Sequence, residues 1–283
     1  LPGQVNVLAF HLTKQVKGFD MDMKLAGKRA FVSGSTQGIG FAVARALLSE
    51  GASVVVNGRR TEGVEAAVRE LRAAVPGADV SGIAADFERP DDVARLLELL
   101  GAVDILINNV GLFGLAPFAD ISDDDWQRYF DVNVMSGVRL SRQLLGGMIA
   151  ENSGRIIFIG SESGVNIPAD MVHYGMAKAA MLAVSNGLAK LTRGTNVTVN
   201  TIVGGPTYSD GVAGVVQQLS TVQGVSVEDL KAAIIGGNQT SLLERFIDPT
   251  EIANLVVYLA SPLSSATNGA ALRADGGVLT ATL

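Results

Sequence analysis

The sequence contains no cysteine. Disulfides, thiolate-held zinc and thiol catalysis are therefore excluded. Two histidines, His11 and His173, leave little for a histidine metal site or a Ser-His-Asp triad, and no metal site is expected. No uncharged apolar run approaches the ~18 residues that cross a bilayer. Charge is sparse at 18%, and 22 basic against 28 acidic residues leave a net charge of -6. That balance argues against a partner held by phosphate neutralisation, so no nucleic acid is expected. Aromatic residues make up 5%, with Trp126 the single tryptophan and expected to pack within a helix. Hydrophobic residues, at 48%, supply a sizeable core and exclude a disordered chain. Glycine is abundant, 33 of 283 residues, above the usual ~7%. Such a chain makes many tight turns or close backbone approaches.

Residues 1–22 differ from the rest. Val5–Leu12 is apolar but short and lacks a basic residue ahead of it, unlike a signal peptide. We read 1–22 as an extension outside the domain; a small amphipathic arm packing on a neighbour is the competing reading. No linker or composition shift divides 28–283, and one domain is expected over 23–283. Strand patterns are expected at residues 29–33, 52–57, 80–85, 104–108, 155–159, 197–203 and 269–274. Helical patterns fall between them at 40–50, 62–74, 91–100, 123–149 and 172–192. Short strands without polar alternation, linked by helices, indicate a parallel sheet covered on both faces. With right-handed crossovers this is an α/β, Rossmann-type, doubly wound fold with a seven-stranded parallel sheet.

Ser33-Gly34-Ser35-Thr36-Gln37-Gly38-Ile39-Gly40 lies between the first strand and the first helix. Alone the spacing is a weak signal; its placement carries it. The glycines permit a tight turn and close approach of a pyrophosphate, and the helix N-terminus favours the negative charge. After the second strand stands Asn57-Gly58-Arg59-Arg60. An NAD site usually has an acid at this turn for the ribose 2′-hydroxyl, and here there is none. Gly58 leaves room, and Arg59 offers a planar fork to a 2′-phosphate, so NADP(H) is favoured over NAD(H). Arg60 reads as a solvated loop residue. Asp86, ending the third strand, is placed toward the adenine. Asn108-Asn109-Val110-Gly111, ending the fourth, can run close to a ribose.

Tyr174-Gly175-Met176-Ala177-Lys178 opens a helix and puts phenol and ammonium on one side, one turn apart. The cation is expected to lower the phenol's pKa from ~10 toward working pH. Ser161, thirteen residues before Tyr174, follows a strand at the sheet edge where ligands of such folds bind. Its hydroxyl could hold a carbonyl, or the alkoxide formed from it.

With these motifs the chain resembles the short-chain dehydrogenase/reductase family, single-domain type, and is similar to its 3-oxoacyl-carrier-protein reductase-like members. The likeness covers 24–283. The glycine motif, Asp86, Asn108 to Gly111, Asn133, Ser161, Tyr174 and Lys178 fall in the family's order and spacing. The resemblance implies that Tyr174 is the catalytic acid/base and that Lys178 lowers its pKa while binding the ribose. It assigns Ser161 to substrate polarisation, and Asn133 to holding a water that links Lys178 to solvent. Two departures are visible: Val110 replaces the family's Ala, and Gly204-Gly205 its Pro-Gly, with Pro206-Thr207 following. Thr207 is expected to meet the carboxamide.

The implied activity is NADP(H)-dependent interconversion of a ketone and a secondary alcohol in a cytoplasmic protein. The family commonly forms dimers and tetramers. The Ala/Met-rich face of 175–191 and the apolar faces of 126–149 fit such a homo-oligomer. Residues 205–247 interrupt the rhythm, with short amphipathic helices at 212–219 and 227–235, as in a lid over the substrate. Val212, Val215, Val216, Ile234 and Ile235 suggest an apolar pocket for 3-oxoacyl thioesters or other apolar ketones, though lid packing explains them equally well. Ile167, Met171, Leu112 and Phe113 are further candidates. His173 points away from Tyr174 and reads as structural. The competing function is a nucleotide-binding sensor or scaffold without turnover.

Overall fold

The structure, a computed structural model, describes residues 21–282. The expectation for 1–22 therefore lies, all but Met21 and Asp22, outside the described residues. Seven strands form one all-parallel sheet: β1 (Arg29–Val32), β2 (Ser53–Gly58), β3 (Val80–Ala84), β4 (Ile105–Asn108), β5 (Gly154–Ser161), β6 (Val197–Gly204) and β7 (Ala271–Ala274). Their spatial order is β3-β2-β1-β4-β5-β6-β7. The chain reverses direction across the sheet between β1 and β4, and that switch point is where open α/β sheets bind ligands.

The linking helices are α1 (Gly38–Ser49), α2 (Thr61–Ala74), α3 (Pro90–Leu100), α4 (Asp123–Tyr129), α5 (Ser136–Ala150), α6 (Val172–Leu191), α7 (Asp210–Gln223), α8 (Val227–Gly237) and α9 (Pro249–Ala260). Alternation along each strand divides the core in two. Ala30, Val32, Val54, Val56, Ile105 and Ile107 pack on one face with Leu47 of α1, Leu71 of α2 and Val256 of α9. Phe31, Val55, Leu106, Ile156 and Phe158 pack on the other with Leu96 of α3, Leu140 of α5 and Met181 of α6. Burial on both faces is what makes the strands read as continuous apolar runs. No described helix is long and apolar enough to cross a membrane.

Two features depart from the sequence reading. The single helix expected over 123–149 is broken: residues Phe130–Met135 form a π-helical turn between α4 and α5. The Asn133 side-chain amide donates to the Tyr129 carbonyl at 3.1 Å, satisfying an acceptor that the wider turn leaves open. Helix α9 was not anticipated. It begins at a capping box, with Asp248 and Glu251 bonding each other's backbone and Pro249 in the first turn.

Candidate active site

The carboxyl ends of β1, β4, β5 and β6 open into one cavity of about 680 Å³. Its wall includes Gly34, Gly38, Arg59, Asp86, Ser161, Tyr174, Lys178 and Thr207, brought together from most of the chain.

The glycine turn is held from below by hydrogen bonds. Ser35, fully buried, donates to the Val32 carbonyl at 2.6 Å and accepts from the Asn57 N–H at 2.9 Å. Its side chain is thus committed to the fold, as a brace of the turn. Asn109 donates to the carbonyls of Ser33 and Gly34 at 3.0 and 2.9 Å, so its amide clamps the same turn. Gly34 and Gly38 have φ of +61° and +60°, where a side chain is strained. Gly40 has no room: a Cβ there would stand 2.4 Å from the Gly34 carbonyl oxygen and 2.6 Å from the Asn109 amide nitrogen. Gln37 and Ile39 face the cavity where α1 begins, and the first N–H of that helix, on Gly38, already bonds to Asp210 at 2.6 Å.

At the next turn, Arg59 and Arg60 line the cavity, and neither forms an ion pair among the described residues. A Cβ on Gly58 would lie 2.4 Å from Thr36 Cγ2, so an acidic residue enters that position only if Thr36 moves. Asp86 accepts from the Glu88 N–H at 3.1 Å while facing the same end of the cavity.

Ser161 is the last residue of β5 rather than a residue beyond it. Lys178 Nζ donates to the Ile159 carbonyl at 2.9 Å and stands 5.7 Å from the centre of the Tyr174 ring. Asn133 Oδ1 accepts from the Leu112 N–H at 3.0 Å. A Cβ on Gly111 would lie 2.8 Å from that oxygen and 3.5 Å from Lys178 Nζ, so both groups approach the same backbone point.

The electrostatics of the pair are dominated by desolvation. Burial pushes the Tyr174 phenol up to about 12; contact with the Ser161 hydroxyl opposes this, and the nearby Glu162 charge adds to it. Burial lowers Lys178 to about 8. Desolvation disfavours the charged form of each group and so works against the lowering of the phenol.

Of the apolar candidates, Leu112, Phe113, Met171 and Val212 line this cavity. Ile235 borders a second cavity, between Tyr208 and Asp248, and Val216 is buried under α7. Ile167, Val215 and Ile234 line neither. His173 is buried against Tyr129, ring centres 4.0 Å apart, and Trp126 meets it edge-on at 6.2 Å. Thr207 donates to the Gly205 carbonyl at 2.9 Å. Gly205 must be glycine, since a Cβ there would strike the Asp275 carbonyl oxygen at 2.4 Å.

The sequence reading passed over Glu162 and Asp210. Glu162 Oε2 accepts from the hydroxyls of Ser161 and Ser163 at 2.8 and 2.5 Å, and the residue lines the cavity. An acid directly after the strand-end serine was its only sequence signal.

The chain matches the short chain dehydrogenase family over residues 28–220 and belongs to it. It is 45% identical to an uncharacterized oxidoreductase, YvaG, of Bacillus subtilis, over 92% of this chain and 98% of that one. It is 32% identical to the 3-oxoacyl-[acyl-carrier-protein] reductase FabG of Vibrio harveyi, over 90% and 99% respectively. L-sorbose reductase of Gluconobacter frateurii, solved with NADPH and L-sorbose, superposes with a TM-score of 0.87 at 31% identity, covering 92% of this chain and all of that one. The protein is an oxidoreductase of this family.

Proposed function

We propose that the chain interconverts a ketone and a secondary alcohol by hydride transfer, with NADP(H) as its cofactor and Tyr174 as general acid/base. One observation carries this reading: Ser161, Tyr174 and Lys178 share a single cavity with a glycine turn and with Arg59, which has no ion pair among the described residues. The residues fit a phosphorylated dinucleotide. Backbone N–H groups at the start of α1 suit its diphosphate, and Arg59 suits a 2′-phosphate, while an acid at Gly58 would require Thr36 to move. Asp86 would meet the adenine, and Lys178 and Thr207 would meet the nicotinamide half, all three lining the cavity. When bound, the cofactor supplies or accepts the hydride.

The chain's own groups handle the proton. A phenol held near 12 keeps its proton at neutral pH, which suits donation to a carbonyl oxygen as it becomes an alkoxide. Ser161 would hold that oxygen beside Tyr174 once its hydroxyl turns from Glu162 to the substrate. The L-sorbose reductase, with its NADPH and ketose, supports the reduction direction by analogy.

The test is NADPH oxidation against a panel of ketones, with NADH in parallel. Tyr174→Phe should lose about 10²–10⁴-fold in kcat while still binding NADPH. Full activity in that variant would overturn the role of Tyr174, whereas NADPH binding without turnover in the native chain would favour a sensor.

A further inference from the structure

Glu162 is placed where a substrate would meet it, and hydride transfer does not require it. It follows Ser161 directly, and its Oε2 accepts from the Ser161 and Ser163 hydroxyls. Its second oxygen, Oε1, has no hydrogen-bond partner among the described residues and is not one of the buried unpaired atoms, so it remains accessible on the cavity side. A carboxylate is an acceptor only.

Its surroundings narrow what it can accept from. Leu112, Phe113, Met171, Val212 and Phe246 give the rest of this end an apolar wall. The nearby Asp275 adds negative charge, though Arg273 holds it at 2.9 Å. Arg59 and Arg60 belong to the other turn of the cavity, after β2. The cation of this end, Lys178, is turned to the Ile159 carbonyl and the Tyr174 ring, so an acidic group beside Glu162 would meet a carboxylate first. A neutral donor close to the carbonyl would find an open acceptor.

We propose that Glu162 is a specificity residue that binds a hydroxyl on the carbon next to the reacting carbonyl, so that the substrates are α-hydroxy ketones and the corresponding vicinal diols. This rests on the oxidoreductase reading above. With the carbonyl oxygen held at Ser161, the neighbouring carbon is the substituent site closest to Glu162, one residue on and one hydrogen bond away. A hydroxyl there donates to the carboxylate, and an alkyl group of the same size strands it against carbon.

The experiment compares isosteric pairs on the full chain with NADPH and with NADH: hydroxyacetone against butanone, and α-hydroxyacetophenone against propiophenone. A hydrogen bond to a charged acceptor predicts about a ten- to hundredfold higher kcat/KM for the hydroxy ketone. Glu162→Leu should bring the ratio close to one, whereas Glu162→Gln, which keeps an acceptor, should retain most of it. A ratio near one in the native protein overturns the proposal. So does an unchanged ratio in Glu162→Leu, since a residue that only orients Ser161 would slow both ketones alike. Should no ketone react with either cofactor, the oxidoreductase reading falls first and takes this proposal with it.

Discussion

The carboxylate of Asp210 accepts a hydrogen bond at 2.6 Å from the backbone N–H of Gly38, 172 residues away in sequence. Asp210 opens α7, the first helix of the segment read as a lid, and Gly38 opens α1 at the glycine turn. An acidic side chain therefore already engages the helix end that suits a diphosphate.

Competition follows from that contact. Asp210→Asn should bind NADPH about two- to fivefold more tightly, the usual worth of one charge at a helix terminus, with the gain shrinking in high salt. Fluorescence titration at low and high ionic strength checks it. Weaker binding by the variant would mean that Asp210 supports the turn instead of competing for it.

Arg59 provides the second test. Having no ionic partner among the described residues, it is free to pair with a 2′-phosphate. Arg59→Asp should lower kcat/KM with NADPH about ten- to a hundredfold and shift preference toward NADH. An unchanged preference would refute the contact.

Local pattern carried much of this architecture into the sequence. The strands lie buried on both faces, so their apolar runs mark them directly, and the glycine turn and the Tyr174–Lys178 pair are local motifs. The rest depended on contacts distant in sequence. That Ser35 is buried and braces the turn, and that the Asn109 amide clamps it while lining the cavity, follows from contacts between distant segments. The break at Asn133 arises from one side-chain bond to Tyr129, which helical periodicity does not encode. The phenol's upward shift comes from burial, which follows from tertiary packing alone. Helix α9 was different: Asp248-Pro249-Thr250-Glu251 was a readable start signal that went unused.

Gly40 tests the glycine turn sterically. Gly40→Ala would drive a methyl group into the Gly34 carbonyl and the Asn109 amide, both fixed in the clamp. Overpacking of this kind costs about 1–3 kcal/mol. We expect a lower melting temperature and loss of measurable NADPH binding, read by thermal denaturation with and without cofactor. A variant that melts and binds like the native chain would show that the turn yields easily.

Lys178 links the site to stability through pH. Its amine titrates near 10.5 in the unfolded chain and near 8 when buried in the fold. Below pH 8 both states hold the proton, and the fold bears the full cost of a buried ammonium. Between those values the unfolded chain keeps its proton and the folded chain does not, so this group makes stability rise with pH. At ~1.4 kcal/mol per pH unit the cost is roughly 3 kcal/mol, reduced in practice by its bond to the Ile159 carbonyl. Lys178→Met should therefore melt several degrees above the native chain at pH 7, although it loses activity. The gap should close as pH rises from 8 toward 10.5, and then reverse, because the neutral amine still donates to Ile159 whereas methionine leaves that carbonyl unpaired. Melting curves of both chains across this range decide the matter: a gap independent of pH would show that the amine carries no buried charge.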